Sequence, residues 1–270
     1  MKGKRALSRG LWTLLAVSAA LYLGRLVVPG TALYETFLSN LVLTAIASPV
    51  KLVFQAVAMV MAWRVRSRLE PGNPSRAAWT TLAAALLLTL LAQLYLAPFQ
   101  LRLHESPFPS GADVFFVLSY PLLFAALVLF LKAYRAAGLP MPGAGERLAV
   151  GVVMLVVLGG IAWRVLAPIA AGPWGLGTAL NIFYPAADLV LLVPALHLAK
   201  ASLAFRGGQL WRIWLLLLGG IVFLCGADVL FAYFSSLGQS ALDPLLHSLY
   251  LAAYCLLAQA AVAQAELLED

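Results

Sequence analysis

Eight apolar stretches, each about as long as a bilayer is thick, set the limits on what this 270-residue sequence can fold into. They run over about 11–29, 41–63, 78–98, 112–134, 148–171, 180–199, 211–235 and 245–265. A helix needs roughly 20 apolar residues to cross a hydrocarbon core about 30 Å thick. No water is available at that depth, so only helices and closed barrels satisfy their own backbone. The stretches lack the period-two alternation of barrel strands, which leaves helices. The expected fold is all-α: a polytopic integral membrane protein of about eight transmembrane helices. Composition agrees, with 63% hydrophobic and 11% charged residues and a mean hydropathy of +0.94, against about 25% charged residues in soluble domains.

The net charge of +7 raises the question of nucleic acid, and the positions of the charges answer it. Lys2, Lys4, Arg5 and Arg9 precede the first stretch, and Arg64, Arg66, Arg68 and Arg76 follow the second. Lys132, Arg135 and Arg147 follow the fourth, and Lys200, Arg206 and Arg212 follow the sixth. The opposite loops hold only Arg102. This is the positive-inside asymmetry, so both termini are expected in the cytoplasm and no nucleic-acid partner is expected. Trp12, Trp63, Trp79, Trp211 and Trp214 fall near the same ends, where an aromatic belt is expected. The first stretch, with its basic flank and Val17-Ser18-Ala19, also has features of a signal peptide. With Met1 present it is read as a retained helix; cleavage would leave seven spans. Cys225 and Cys255 lie inside apolar stretches without metal-site spacing and read as inert buried thiols. His104, His197 and His247 sit at different depths, so neither a metal site nor a cofactor is expected.

Pro/Gly-rich segments at 69–77 and 138–146 divide the chain into helical hairpins, about 11–63, 78–134, 148–199 and 211–265, within a single transmembrane domain over 1–270. The second helix of each hairpin carries the organised polar residues. Thr44, Ser48, Lys51 and Gln55 are spaced 4, 3 and 4. Asp113 and Tyr120 are seven apart. Asn181, Tyr184 and Asp188 are spaced 3 and 4, as are His247, Tyr250 and Tyr254. Such spacings stack side chains on one helix face. The first helices are plainer: the third offers mainly Thr89 and Gln93, the fifth Arg164, and the seventh breaks the pattern with Asp228. The expectation is four diverged repeats, with even-numbered helices lining an interior and most odd-numbered ones facing lipid.

Three Asp follow a small residue and an Ala, in Gly111-Ala112-Asp113, Ala186-Ala187-Asp188 and Gly226-Ala227-Asp228. A carboxylate at bilayer depth costs about 2.5–3.5 kcal/mol on insertion scales, so it faces a partner, a cavity or a proton path. Asp113 is expected at the outer interface, with Tyr120 on its face, where a carboxylate suits a helix N-terminus. Asp188 and Asp228 are the intramembrane pair. Lys51 and Arg164 fall in the same outer half, and His247 begins the last helix there. Two readings stay open: structural ion pairs of Asp188 or Asp228 with Lys51 or Arg164, and an outward pocket for a small polar or amphiphilic ligand, which adds Asn181, Tyr184, Tyr250 and Tyr254.

Pro109-Ser110-Gly111-Ala112-Asp113-Val114-Phe115-Phe116 running to Tyr120-Pro121-Leu122-Leu123 resembles a helix opening of one family. These are the multi-helix membrane sensory modules at the N-termini of bacterial GGDEF/EAL proteins and some histidine kinases. Tyr184-Pro185-Ala186-Ala187-Asp188-Leu189 resembles their next outer-to-inner helix. Ala227-Asp228-Val229-Leu230-Phe231-Ala232-Tyr233, then Leu242-Asp243-Pro244-Leu245-Leu246 and Leu249-Tyr250-Leu251-Ala252-Ala253-Tyr254, resembles their last hairpin. The resemblance covers about 105–265 and implies a non-enzymatic sensory or scaffold module, multi-pass in the inner (cytoplasmic) membrane of a bacterium. It departs at the end, since Asp270 follows the last helix without an output domain, so a signal is expected to pass to a partner membrane or signalling protein. A second resemblance, on helix count and intramembrane Asp alone, is to eight-helix lysoplasmalogenase-like hydrolases. It implies a lipid-directed enzyme with Asp188 and Asp228 as acid and base. A small-solute transporter built on the repeats is the third alternative.

Overall fold

Each apolar stretch is the middle of a longer helix whose ends are set by turn chemistry. The computed structural model describes residues 2–27, 31, 40–103, 106–138, 141, 143–203, 206–237 and 243–269, with the side chains of 2, 25, 26, 40–45, 243 and 244 outside the description. His104 and the side chain of Thr44 therefore lie outside the described residues. The helices are α1 (Lys2–Val27), α2 (Asn40–Arg68), α3 (Pro74–Arg102), α4 (Ala112–Ala136), α5 (Ala144–Ala171), α6 (Leu176–Ser202), α7 (Gln209–Ser236) and α8 (Asp243–Leu267). All eight contain windows long and apolar enough to cross a membrane. The chain is thus an all-α, multi-pass membrane protein.

Local chemistry explains the boundaries. The Asn73 side chain accepts the Ser75 N–H at 2.8 Å, and Pro74 fills the first helical position of α3, where its missing donor costs nothing. The Gly143 N–H donates to Glu146 Oε2 at 3.1 Å and opens α5. Within α5, Ala162–Leu166 winds as a π-helix. Pro168 has no N–H to offer the Arg164 carbonyl and its ring would crowd it, and the wider turn accommodates both.

By their contacts, α2, α3, α4, α6, α7 and α8 form a closed ring, with α1 outside against α8 and α5 outside against α6. α8 is the most enclosed helix and α5 the least. The α3–α4 and α7–α8 hairpins pack as pairs, whereas α1 leans mainly on α8 rather than on α2.

The two ends of the ring differ. At the end flanked by the basic loops, rings from α3, α4 and α7 fill the interior edge to face. Their centroids are 5.3 Å apart for Trp79–Phe130, 5.1 Å for Phe130–Trp214 and 5.2 Å for Tyr134–Trp214. Trp79 and Trp214 therefore do not join the expected interfacial belt: they are buried, whereas Trp12 and Trp63 are exposed. Ring order is the physical reason, because both face inward where α3, α4 and α7 converge.

The described termini meet at this same end. Lys4 Nζ lies 2.9 Å from Glu269 Oε1 and 2.6 Å from the Ala265 carbonyl, and Arg68 Nη1 lies 2.5 Å from Glu269 Oε1. One turn deeper, Ser8 Oγ donates to Gln259 Oε1 and Gln259 Nε2 to the Ser8 carbonyl, each at 2.8 Å. α1 is thereby fastened along α8.

Candidate functional site

At the other end the ring encloses a cavity of about 410 Å³. It reaches the segment between α3 and α4, where Ser106, Pro107, Phe108 and Ser110 line it. The stripes noted in the sequence arrive here from separate helices. α2 brings Lys51, α4 Asp113 and Tyr120, α6 Asn181 and Tyr184, α7 Asp228, and α8 His247, Tyr250 and Tyr254.

Tyr120 is the hub. Its hydroxyl lies 3.0 Å from Asp188 Oδ1 and 2.8 Å from Asp228 Oδ2, so one proton is shared between two carboxyl groups from α6 and α7. Asp228 Oδ1 accepts a second bond from the Tyr250 hydroxyl at 2.5 Å. Asp188 is 0% exposed, and its Oδ2 has no partner among the described residues. Tyr120 thus departs from the expected interfacial position. It lies seven residues, about 10 Å, below Asp113 along α4, which carries it into the interior.

Asp113 does sit at the helix start. Oδ2 accepts the Ser110 N–H at 2.6 Å and closes the first turn of α4, while Oδ1 accepts the Tyr184 hydroxyl at 2.6 Å and ties α4 to α6. The rings of Tyr120, Tyr184 and Phe183 pack with centroids 5.5–5.9 Å apart and stiffen that wall.

Lys51 is only 6% exposed, yet it meets neither carboxylate. Nζ lies 3.3 Å from His247 Nδ1 and 5.7 Å from the centroid of Tyr250. The ring order explains this, since α8 stands between α2 and α7. Tyr250 offers its face to the Lys51 ammonium and its hydroxyl to Asp228, where an ion pair was expected. Arg164 is further removed. It lies in the π-helical turn of α5, on an exposed face, and does not line the cavity. The expected pairing of Arg164 with Asp188 or Asp228 is not formed, because α5 stands outside the ring. Among the described residues the ion pairs are Lys4–Glu269, Arg68–Glu269 and Lys200–Glu146, at the opposite end.

The wall from α3 was underestimated. Gln93 Nε2 donates to Gln100 Oε1 at 2.8 Å, and Gln100 Nε2 donates to Ser106 Oγ at 2.9 Å. Gln93, Gln100 and Thr89 all line the cavity, as do Tyr22 of α1 and Phe231 of α7. The even-numbered helices do line the interior, but α1, α3 and α7 join them, and α5 alone contributes nothing to the lining. The spacing of seven between Gln93 and Gln100 was the available signal; Gln100 lay beyond the apolar stretch assigned to that helix.

Chemically, the site sets the carboxyl groups of Asp113 and Asp228, with Asp188 behind Tyr120, and a ring of tyrosines beside Lys51. It can accept hydrogen bonds, oppose positive charge and pack against apolar groups. Compared with known proteins, the chain matches no family model, no curated protein and no solved structure.

Proposed function

We propose that this protein is an integral membrane sensory or scaffold module. Its polar pocket, in the outer half of the membrane, binds a small polar or amphiphilic ligand and passes occupancy to a partner membrane or signalling protein. The observation that carries this reading is convergence: residues of the stripes on α4, α6 and α8, with Lys51 of α2, meet at one cavity of about 410 Å³. Polar side chains that served only as interhelical glue would be spread along the helices. α8 supplies the route. It lines the pocket with His247, Tyr250 and Tyr254, and at its other end it is held by Lys4 and Arg68 through Glu269. The resemblance to the membrane modules of GGDEF/EAL proteins and histidine kinases supports the same reading, with the inner membrane as the location.

Cysteine accessibility tests the pocket. Ser106→Cys and Ser119→Cys, one nearer the loop and one deeper, are expected to react with a small membrane-impermeant thiol reagent added outside. Cys225 and Cys255 are buried and give a low background. Protection of both positions from reagent on either side would sink the reading.

One observation favours a second reading, an intramembrane lipid-directed hydrolase: Asp188 and Asp228 share the Tyr120 hydroxyl at the cavity. Two carboxyl groups in unlike surroundings can divide acid and base roles. Turnover of a lysophospholipid panel by purified protein, lost in Asp228→Asn, would favour it; no product from any lipid removes it.

A further inference from the structure

Resting on the pocket reading above, we propose that the ligand is a small organic amine whose ammonium head sits among Asp228, Asn181 and the tyrosine rings. Charge is the first argument. Asp113 and Asp228 line the wall from α4 and α7, and neither is ion-paired among the described residues. Lys51 is spent on His247 and the face of Tyr250.

Hydrogen-bonding capacity is the second argument. Asn181 Oδ1, in the lining, is a buried oxygen without a donor among the described residues. It is an acceptor, and it calls for a ligand that donates. An alkylammonium carries donors and no acceptor, as a lysine head does. The third argument is the wall itself. Tyr120, Tyr184 and Tyr254 stand around the same space, and tyrosine faces attract cations. Size excludes a bare ion as the best fit: 410 Å³ is the share of about fourteen liquid waters. That leaves room for an apolar tail beside Leu96, Leu224 and Phe231.

The test uses three probes of one length and three charges: hexylammonium, hexanol and hexanoate. Each is titrated at pH 7.4 into the purified chain in nanodiscs, with thermal stability and calorimetry as readouts and sodium chloride at matched ionic strength as background. Hexylammonium is expected to raise Tm and to bind at least tenfold tighter than hexanol, with hexanoate weakest. Asp228→Asn should lower its affinity at least tenfold. Asn181→Leu, which removes an acceptor that holds no other bond, should lower it several-fold with the fold intact. Leu96→Trp fills the cavity and should abolish binding. If hexanol or hexanoate binds best and Leu96→Trp still blocks it, the amine assignment falls and the pocket reading stands. If no probe binds, or Leu96→Trp changes nothing, both fall.

Discussion

Removing the Tyr120 hydroxyl is the sharpest test of the site, because two carboxyl groups depend on it unequally. Tyr120→Phe keeps the ring and its edge contact with Phe183, whose centroid is 5.5 Å away. It leaves Asp188, whose Oδ2 already lacks a partner, without the donor at Oδ1, while Asp228 keeps Tyr250. A hydrogen bond to a charged group contributes about 1.5–3 kcal/mol in soluble proteins. Interhelical bonds in membrane proteins average about 0.6 kcal/mol and reach about 1.7. The hydroxyl serves two acceptors, one of them fully buried, so two bonds are lost at about 1 kcal/mol each, within the membrane range, or about 2 kcal/mol in all. Tyr250→Phe takes one of two donors from Asp228, which lines the cavity, and should cost about 1 kcal/mol or less by the same figures. A double-mutant cycle with Asp188→Ala adds an internal check. In that background Tyr120→Phe deprives only Asp228, and its cost should fall to about 1 kcal/mol, a coupling well above the 0.5 kcal/mol expected of independent sites. Equilibrium unfolding in mixed micelles, titrated with denaturing detergent, measures all four proteins. A Tyr250→Phe cost equal to or above that of Tyr120→Phe, or a coupling below about 0.5 kcal/mol, would refute the hub.

Three other contacts have measurable consequences. A Cβ at Gly220 would fall 2.8 Å from Leu257 side-chain carbons and 3.1 Å from the Ala253 carbonyl, so Gly220→Ala should cost about 1–3 kcal/mol at the α7–α8 contact; Gly159→Ala, which meets nothing within 4 Å, should be neutral or slightly stabilising in the same unfolding assay. Hydrogen bonds from Lys4 and then Arg68 hold the Glu269 carboxyl down at about 2, below its ordinary value of 4.5. A depressed acid stabilises the fold above the ordinary value, and that contribution is lost as pH falls from about 4.5 through 2. The Tm difference between the parent and Glu269→Gln should therefore shrink across that window, and a pH-independent difference would count against the clamp. Gln259 is buried and exchanges two bonds with Ser8, so Gln259→Leu should cost about 1–2 kcal/mol and loosen α1, read as faster proteolysis near residue 8.

The fold was legible because one rule governs it. Apolar length locates the spans, and the basic and Pro/Gly-rich segments mark where they end. Helix ends were less legible, since caps such as Asn73–Ser75 and Gly143–Glu146 lie in polar segments that hydropathy reads as loop. Those turns extend α3 to Pro74 and α5 to Ala144. Extension also carried α3 past Pro98 to Gln100, so half of its polar stripe fell beyond the expected boundary. A proline near a helix end reads as a stop in sequence, yet α3 runs four residues past it.

Spacing also told which residues share a face: His247, Tyr250 and Tyr254 of α8, Asn181 and Tyr184 of α6, and Asp113 with Tyr120 line one cavity, while Asp188 lies behind its wall. What spacing does not carry is which helix stands opposite. Lys51 and Asp228 have the charges and the depth to pair, and pairing them required α2 beside α7. The chain instead places α8 between them, and Tyr250 does with a ring face and a hydroxyl what a salt bridge was expected to do. Arg164 fails for the same reason, because α5 packs outside the ring on α6 and turns that side chain away. Neighbour order in a membrane bundle comes from close packing of small and aromatic residues, such as Gly220 against Leu257 or Trp214 against Phe130, which leave no periodic trace in charge or hydropathy. The polar residues in this chain therefore identify a site, and the apolar ones decide which of them can touch.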